Sequence, residues 1–513
     1  VDEEGLCAIG FALAQIHFPS DREALTRARD RLIFEELFLL QAGLAFLKNE
    51  GASEGGEDSG IAFGADARPE DFESLLPFDF TGAQRRVVQE VYADMEAARA
   101  MNRLIQGDVG SGKTAVAAAA VYKAVRSGCQ AALMAPTELL AKQHCAELSH
   151  LFGESGVCGV SLLTSGMGAK ARGEVLAGLR DGTTGLAVGT HALLQEDVSF
   201  ARLGLVITDE QHRFGVRQRV GLARKNRDAD APRPDVLVMT ATPIPRTLAF
   251  VLYGDLDISV IDELPPGRKK VVTKAVGSAR RGRVYDFVRG EIEGGGQVYV
   301  VAPLIEDGEG ELAGMLRSSE SLHAELSQRF AGHEVALLHG AMRQDEKDAV
   351  MQGFSEGRIS VLVSTVVIEV GVNVPNATVM VVENAERFGL AQLHQLRGRV
   401  GRGRAQSWCI LVSDSESQEA RQRMETMEQT DDGFAIAEKD LAMRGPGELF
   451  GTRQHGIPSL RIADLSKHVR TAARARDAAA HLLAGDPGLE APAHYLLRET
   501  ILTLFQDVRE MGI

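Results

Sequence analysis

Two tandem α/β domains, each built on a parallel sheet, are predicted for this 513-residue chain by three observations. Apolar β-type runs alternate with helical stretches from about residue 80 to 265, and the alternation restarts after 267, the pattern of repeated βαβ units. The runs are almost continuously apolar, as expected of strands buried on both faces of a sheet. With 44% apolar residues, the chain can fill more than one core. The expected organisation is a helical N-terminal linker over 1–49, a flexible acidic linker over 50–75, α/β domains over 76–266 and 267–415, and a mostly helical accessory region over 416–513.

Taken in order, Ser20 and Glu23 make a capping box after Pro19, and Leu25, Ala28, Leu32 and Ile33 supply an apolar stripe, predicting one helix over 20–48. Between Glu50 and Asp71 there are seven acids, one arginine and many glycines, the composition of a mobile linker. Strands are expected at 102–106, 130–134, 185–188, 203–208 and 236–239. Glu263-Leu-Pro-Pro-Gly267 reads as a hinge. The second block has strands at 297–301, 334–338, 359–364, 378–382 and 408–412.

Gly107-Asp108-Val109-Gly110-Ser111-Gly112-Lys113-Thr114 follows the first strand and precedes an Ala-rich helix over 114–127 that Gly128 stops. In such a loop the backbone N–H groups face phosphate oxygens at a helix N-terminus, the lysine reaches the β/γ-phosphates and the threonine hydroxyl takes a Mg²⁺ position. The second block has no such loop, so two domains share one nucleotide site. Strand 203–208 runs into Asp209-Glu210-Gln211-His212, where Asp209 is placed to hold the metal and Glu210 to orient water. Thr240-Ala241-Thr242 ends the next strand and can link the acids to the domain interface. Gln395, Arg399 and Arg402, in the run Gln395-Leu-Arg-Gly-Arg-Val-Gly-Arg402, can present charge across a cleft to a transferring phosphoryl group; an arginine so placed is worth roughly 10³–10⁵ in rate.

The net charge of −15 argues against a generally basic nucleic-acid binder, yet basic segments persist: six Lys/Arg and no acid in 211–227, seven and no acid in 268–283, and four arginines in 397–404. Local basic patches on an acidic chain suit a grip on phosphates along a track. Five scattered cysteines indicate neither a disulfide framework nor a zinc site and point to a reduced cytosol. No apolar run is long enough to span a membrane, and no signal peptide is evident.

The motifs together resemble a superfamily 2 helicase motor with two RecA-like domains. Thr81-Gly-Ala-Gln84 resembles its adenine-reading glutamine segment; Ala135–Leu140 resembles motif Ia and Gly189–Leu193 motif Ib or Ic; Asp209–His212 resembles the DEQH form of motif II; Thr240–Thr242, Ser364–Pro375 and Gln395–Arg402 resemble motifs III, V and VI. Within that superfamily the runs 209–219 and 239–249 resemble the RecG-type DNA helicases and the transcription-repair coupling factors. Arg444-Gly-Pro-Gly-Glu448 and Thr452-Arg453-Gln454 resemble the RecG form.

The resemblance implies an ATP- and Mg²⁺-dependent translocase on duplex DNA that migrates Holliday junctions and reverses stalled forks in recombination and repair. It implies ATP contacts at Gln84, 107–114, Gly371 and Asn373, metal contacts at Thr114 and Asp209, and coupling through His212, Thr240 and Thr242. Implied DNA contacts are Thr137, Thr190, His191, Arg213, Arg246, Thr365, Arg444 and Arg453, the last two in a helical hairpin over 430–456. Branched DNA and a single-strand-binding protein are implied partners, with a monomeric, cytoplasmic, nucleoid-associated enzyme. Two departures stand out. The family's N-terminal OB-like wedge has no counterpart, which leaves branch specificity open, and Asn373 stands where Asp is frequent. The alternatives are an ATP-gated DNA clamp and a coupling-factor motor.

Overall fold

The computed structural model describes residues 5–53, 60–209, 225, 232–240, 256–267, 269–302, 311–365, 374–403, 405–444, 460–464 and 467–505. Helices α1 (Ile9–His17) and α2 (Arg22–Ser53) open the chain. Next come α3 (Pro69–Glu73), α4 (Gly82–Glu96), β1 (Asn102–Gly107), α5 (Lys113–Arg126), β2 (Gln130–Met134), α6 (Glu138–Glu154), β3 (Gly159–Leu163), α7 (Ala169–Asp181), β4 (Thr184–Gly189), β5 (Leu203–Asp209), β6 (Asp235–Thr240) and β7 (Asp257–Ile261). A second series holds β8 (Val272–Val276), α8 (Arg281–Glu293), β9 (Gln297–Val301), α9 (Glu311–Arg329), β10 (Val335–Leu338), α10 (Gln344–Ser355), β11 (Val361–Ser364), β12 (Ala377–Val382), α11 (Leu390–Arg397), β13 (Trp408–Val412) and α12 (Gln418–Gln429). Helices α13 (Gly433–Arg444), α14 (Val469–Gly485) and α15 (Tyr495–Leu504) follow.

The strands form two sheets, in the orders β3-β4-β2-β5-β6-β1-β7 and β10-β11-β9-β12-β13-β8. Pairing is parallel from β3 to β1 in the first and throughout the second. In both sheets the central strands are those the sequence predicts, and they are buried along their length. The strands missed, β3, β7 and β8, all lie at sheet edges, where burial is partial and no continuous apolar run is required. The alanines of α5 let that helix lie close on the first sheet: Ala117, Ala118, Ala119, Ala120 and Ala124 are all buried.

Two expectations need correction. Residues 60–75 are not linker. Ile61, Phe63 and the fully buried Phe72 belong to the core of the first sheet, and the Lys123 ammonium, on α5, donates to the carbonyls of Gly64 (3.2 Å) and Ala67 (3.4 Å). The acids of the segment hid an apolar face. The cap of the long N-terminal helix is Asp21, whose carboxylate accepts the Ala24 N–H at 2.7 Å, not a Ser20/Glu23 box.

The chain divides into two compact units, and residues 60–243 and 259–440, with both sheets except the first two residues of β7, fall in one. In it the expected hinge is stitched to α4: Glu263 accepts the Ala83 N–H (3.0 Å), and Arg86 pairs with Asp262 (2.9 Å). The other unit joins the two ends of the chain. There α2 packs so closely on the C-terminal helices that a methyl on Gly43 would run into the Phe505 ring. Leu37 is fully buried in a core shared by α2, α14 and α15. Glu36 on α2 accepts the backbone N–H groups of Arg461, Ile462 (3.0 Å) and Ala463 (2.7 Å). The N-terminal helices and residues 441–513 are thus one body, while 416–440 group with the sheets, unlike the separate 1–49 and 416–513 regions expected.

Candidate active site

The phosphate loop joins β1 to α5 at the carboxyl end of the first sheet, where ligands of open α/β sheets bind. Gly112 is left-handed (φ +86°), and a methyl there would run into the Gln84 amide nitrogen, so glycine is required on both counts. Gln84 is buried. Its Nε2 donates to the Ser111 carbonyl (2.8 Å) and its Oε1 accepts the Thr81 N–H (2.8 Å), which commits the amide to the loop and to the cap of α4. Lys113 is buried and donates to the carbonyls of Gly107 (2.8 Å) and Asp108 (2.9 Å). Gly107 closes β1, Asp108, Val109, Gly110, Ser111 and Gly112 make the turn, and Lys113 and Thr114 open α5.

Register brings the acid to the loop. Gln106 pairs with Thr240 and Met239 with Asp209, so β6 carries buried Thr240 between the phosphate loop and Asp209. An Asp209 oxygen lies 3.0 Å from His144 Nε2, on α6. Burial presses His144 toward its neutral form, but the hydrogen bond and charge of Asp209 outweigh it and raise its pKa. A Thr114 hydroxyl and an Asp209 carboxylate are hard oxygen donors of the kind Mg²⁺ takes, and the register sets the phosphate loop and the end of β5 on either side of β6. Among the described residues no cluster of three His, Cys, Asp or Glu forms a self-sufficient metal cage.

The second sheet contributes α11 and the turn after it. His394 Nε2 lies 2.6 Å from Asp108 Oδ1, and a methyl on Gly398 would fall 2.8 Å from Val109 Cβ. Burial would raise the Asp108 pKa, but the hydrogen bonds from His394 and the Val109 N–H and the Lys113 charge hold it below the usual value. Gln395 is half-buried on α11; Arg399 and Arg402 lie beyond its Gly398 cap, Arg402 Nε donating to the Gly398 carbonyl at 3.3 Å. A second link joins the helices flanking the two sheets, Lys142 to Asp348 at 2.8 Å.

The expected DNA contacts are distributed less simply. Thr137 caps α6, its hydroxyl accepting the Leu140 N–H at 3.3 Å, and His191 is exposed. Thr190 and Thr365 are buried, Thr365 completely, so in this conformation neither hydroxyl is presented to a nucleic-acid backbone. Of the basic segment 268–283, Arg281 is not a free surface charge: it binds Glu383 (2.8 Å) and Glu325 (3.0 Å). Glu210, His212, Arg213, Thr242, Arg246, Gly371, Asn373 and Arg453 lie outside the described residues, as does the side chain of Arg444. Sequence reasoning missed His144 and His394. His394 adjoins Gln395, which was a usable signal; His144 is a lone histidine on a helix and carried none.

Three family profiles match in chain order: DEAD/DEAH box helicase over 81–251, helicase conserved C-terminal domain over 281–404, and ATP-dependent DNA helicase RecG, domain 3, C-terminal, over 430–509. Among curated relatives, the ATP-dependent DNA helicase RecG of Synechocystis is 50% identical over 94% of this chain, which spans 57% of that protein. The RecG of Bacillus subtilis is 49% identical over 96% of this chain and 70% of its own length. A solved structure of RecG bound to a three-way DNA junction is 44% identical with a TM-score of 0.73, covering 92% of this chain and 60% of that one. The helicase MrfA bound to DNA and AMPPNP, 16% identical with a TM-score of 0.54 over 77% of this chain and 60% of that one, shares the fold. On the extent of the Bacillus subtilis match, this chain belongs to the RecG family of ATP-dependent DNA helicases.

Proposed function

We propose that this chain is an ATP-driven motor that moves on duplex DNA and drives branch migration and fork reversal. The observation that carries the reading is the approach of α11 to the phosphate loop, which puts elements of two sheets on one nucleotide site. The loop amides and Lys113 hold the phosphates, and Asp209, held by His144, faces them from β5. Mg²⁺ bound by Thr114 and Asp209 would neutralise charge on the β- and γ-phosphates. Glu210 orients the attacking water. Arg399 and Arg402 stabilise charge on the transferring group when the sheets close, with Gln395, Gly371 and Asn373 completing the nucleotide contacts. Because hydrolysis then needs closure, each turnover opens and closes the site, and that motion is passed to DNA through His212, Thr240 and Thr242. Thr137, Thr190, His191, Arg213, Arg246, Thr365, Arg444 and Arg453 are the proposed DNA track. The five cysteines are free, which supports a reduced bacterial cytoplasm.

The test is the ATPase rate of the chain alone, with plain duplex and with a model fork. Strong stimulation is expected, with the fork preferred if branch recognition resides in these residues. Equal rates with and without either DNA would remove the motor reading and leave a clamp.

A further inference from the structure

We propose that His394 is a positioning residue that sets the register of the catalytic arginines against the phosphate loop. The proposal rests on the nucleotide-binding reading above. Asp108 is tied three ways: its carbonyl accepts Lys113, and its Oδ1 accepts both the Val109 N–H (2.6 Å) and His394 (2.6 Å). The direction of the His394 bond follows from its other nitrogen. Arg397 lies 2.9 Å from His394 Nδ1, and a guanidinium can only donate, so Nδ1 accepts and Nε2–H donates to Asp108. Arg397 is in turn held by the carbonyls of Met427 and Thr430, both at 2.9 Å, and is buried. The ring therefore has one tautomer and one orientation, fixed from the second sheet and aimed at the loop of the first.

Position in the chain gives this bond its consequence. His394 precedes Gln395, and Gly398, one turn on, packs against Val109, the residue after Asp108. Arg399 and Arg402 follow directly. One part-buried, charge-assisted hydrogen bond thus docks the segment that carries the arginines, and small misplacement of such groups costs rate more than binding.

Two variants separate the halves of the contact. His394→Asn keeps an acceptor where Nδ1 stands but is too short to reach Asp108; His394→Gln keeps a donor that reaches Asp108. His394→Asn is expected to lower kcat about tenfold or more with the Kd for a non-hydrolysable ATP analogue changed less than about threefold, and His394→Gln to recover most of that loss. Amide exchange over 390–402 should rise in His394→Asn and in Asp108→Ala, which breaks the same bond from the loop side and serves if His394→Asn does not fold. Combining the two should cost no more than the worse single change. Full kcat in His394→Asn, equal losses in the Asn and Gln variants, or unchanged exchange over 390–402 would each overturn the proposal. Wild-type chain that fails to bind the analogue would instead sink the nucleotide reading, while the exchange measurement would still report on the docking bond.

Discussion

Helix α5 carries two buried lysines that teach opposite lessons. Lys113, at its first residue, rests on two carbonyls of the phosphate loop. Lys123, ten residues on, donates to Glu96 at 2.7 Å and to the carbonyls of Gly64 and Ala67, with the Tyr92 ring 4.5 Å away. Neutral carbonyls satisfy an ammonium without holding it against a phosphate, which offers full negative charge. A carboxylate, two carbonyls and an aromatic face hold it permanently. Burial of a lysine is therefore no sign of function by itself; the exchangeability of its partners is.

The largest effect should come at the exchangeable end. Lys113→Ala is expected to reduce ATP hydrolysis to background at a stability cost of about 1 kcal/mol, since the hydrogen bonds lost are to two neutral loop carbonyls. Normal turnover in a steady-state assay would refute the site. At the fixed end the pattern should invert: Lys123→Met should leave the KM for ATP unchanged and cost roughly 1–3 kcal/mol in denaturant unfolding, from carbonyls stripped of their donor. A loss of ATP affinity without a loss of stability would abolish the distinction.

Gly398→Ala sharpens the same contrast from the second sheet. The added methyl falls 2.8 Å from Val109 Cβ, so α11 must back away from the loop. We expect kcat to fall about tenfold, partly restored by Val109→Ala, since a displacement of under an ångström is enough to disturb a transition-state contact.

An effect seen only through pH, and on stability alone, concerns a buried acid whose hydrogen-bond donor is a backbone amide. Asp235 accepts the Met101 N–H at 2.7 Å, but burial pushes its pKa up to about 8. A carboxyl raised in the folded state is ionised more readily in the unfolded chain, so stability falls as pH rises from about 4 to about 8, by at most about 1.4 kcal/mol per unit. Asp235→Asn should flatten that slope. Melting temperatures of the two proteins across this range provide the check, and parallel curves would show that Asp235 is ionised when folded.

Much of the site was legible because its chemistry is local. The phosphate loop, strand β1 and helix α5 are contiguous, and glycine spacing records a backbone shape that few other residues tolerate. Central strands were legible because burial on both faces demands unbroken apolar runs. Edge strands β3, β7 and β8 do not face that demand, and the segment 60–75 mixes acids with Ile61, Phe63 and Phe72, so composition concealed its place in the core.

Local order thus belonged to the chain's own pattern: which segments are strands, where the phosphate loop lies, and that the second sheet carries no such loop of its own. Pairings between distant residues did not. That His394 reaches Asp108, that His144 holds Asp209, and that Glu36 caps a segment more than four hundred residues away depend on where folded elements come to rest. Side-chain spacing along a strand or helix is set by backbone geometry within a few residues, whereas a hydrogen bond across sheets is set by the packing of the whole body between them.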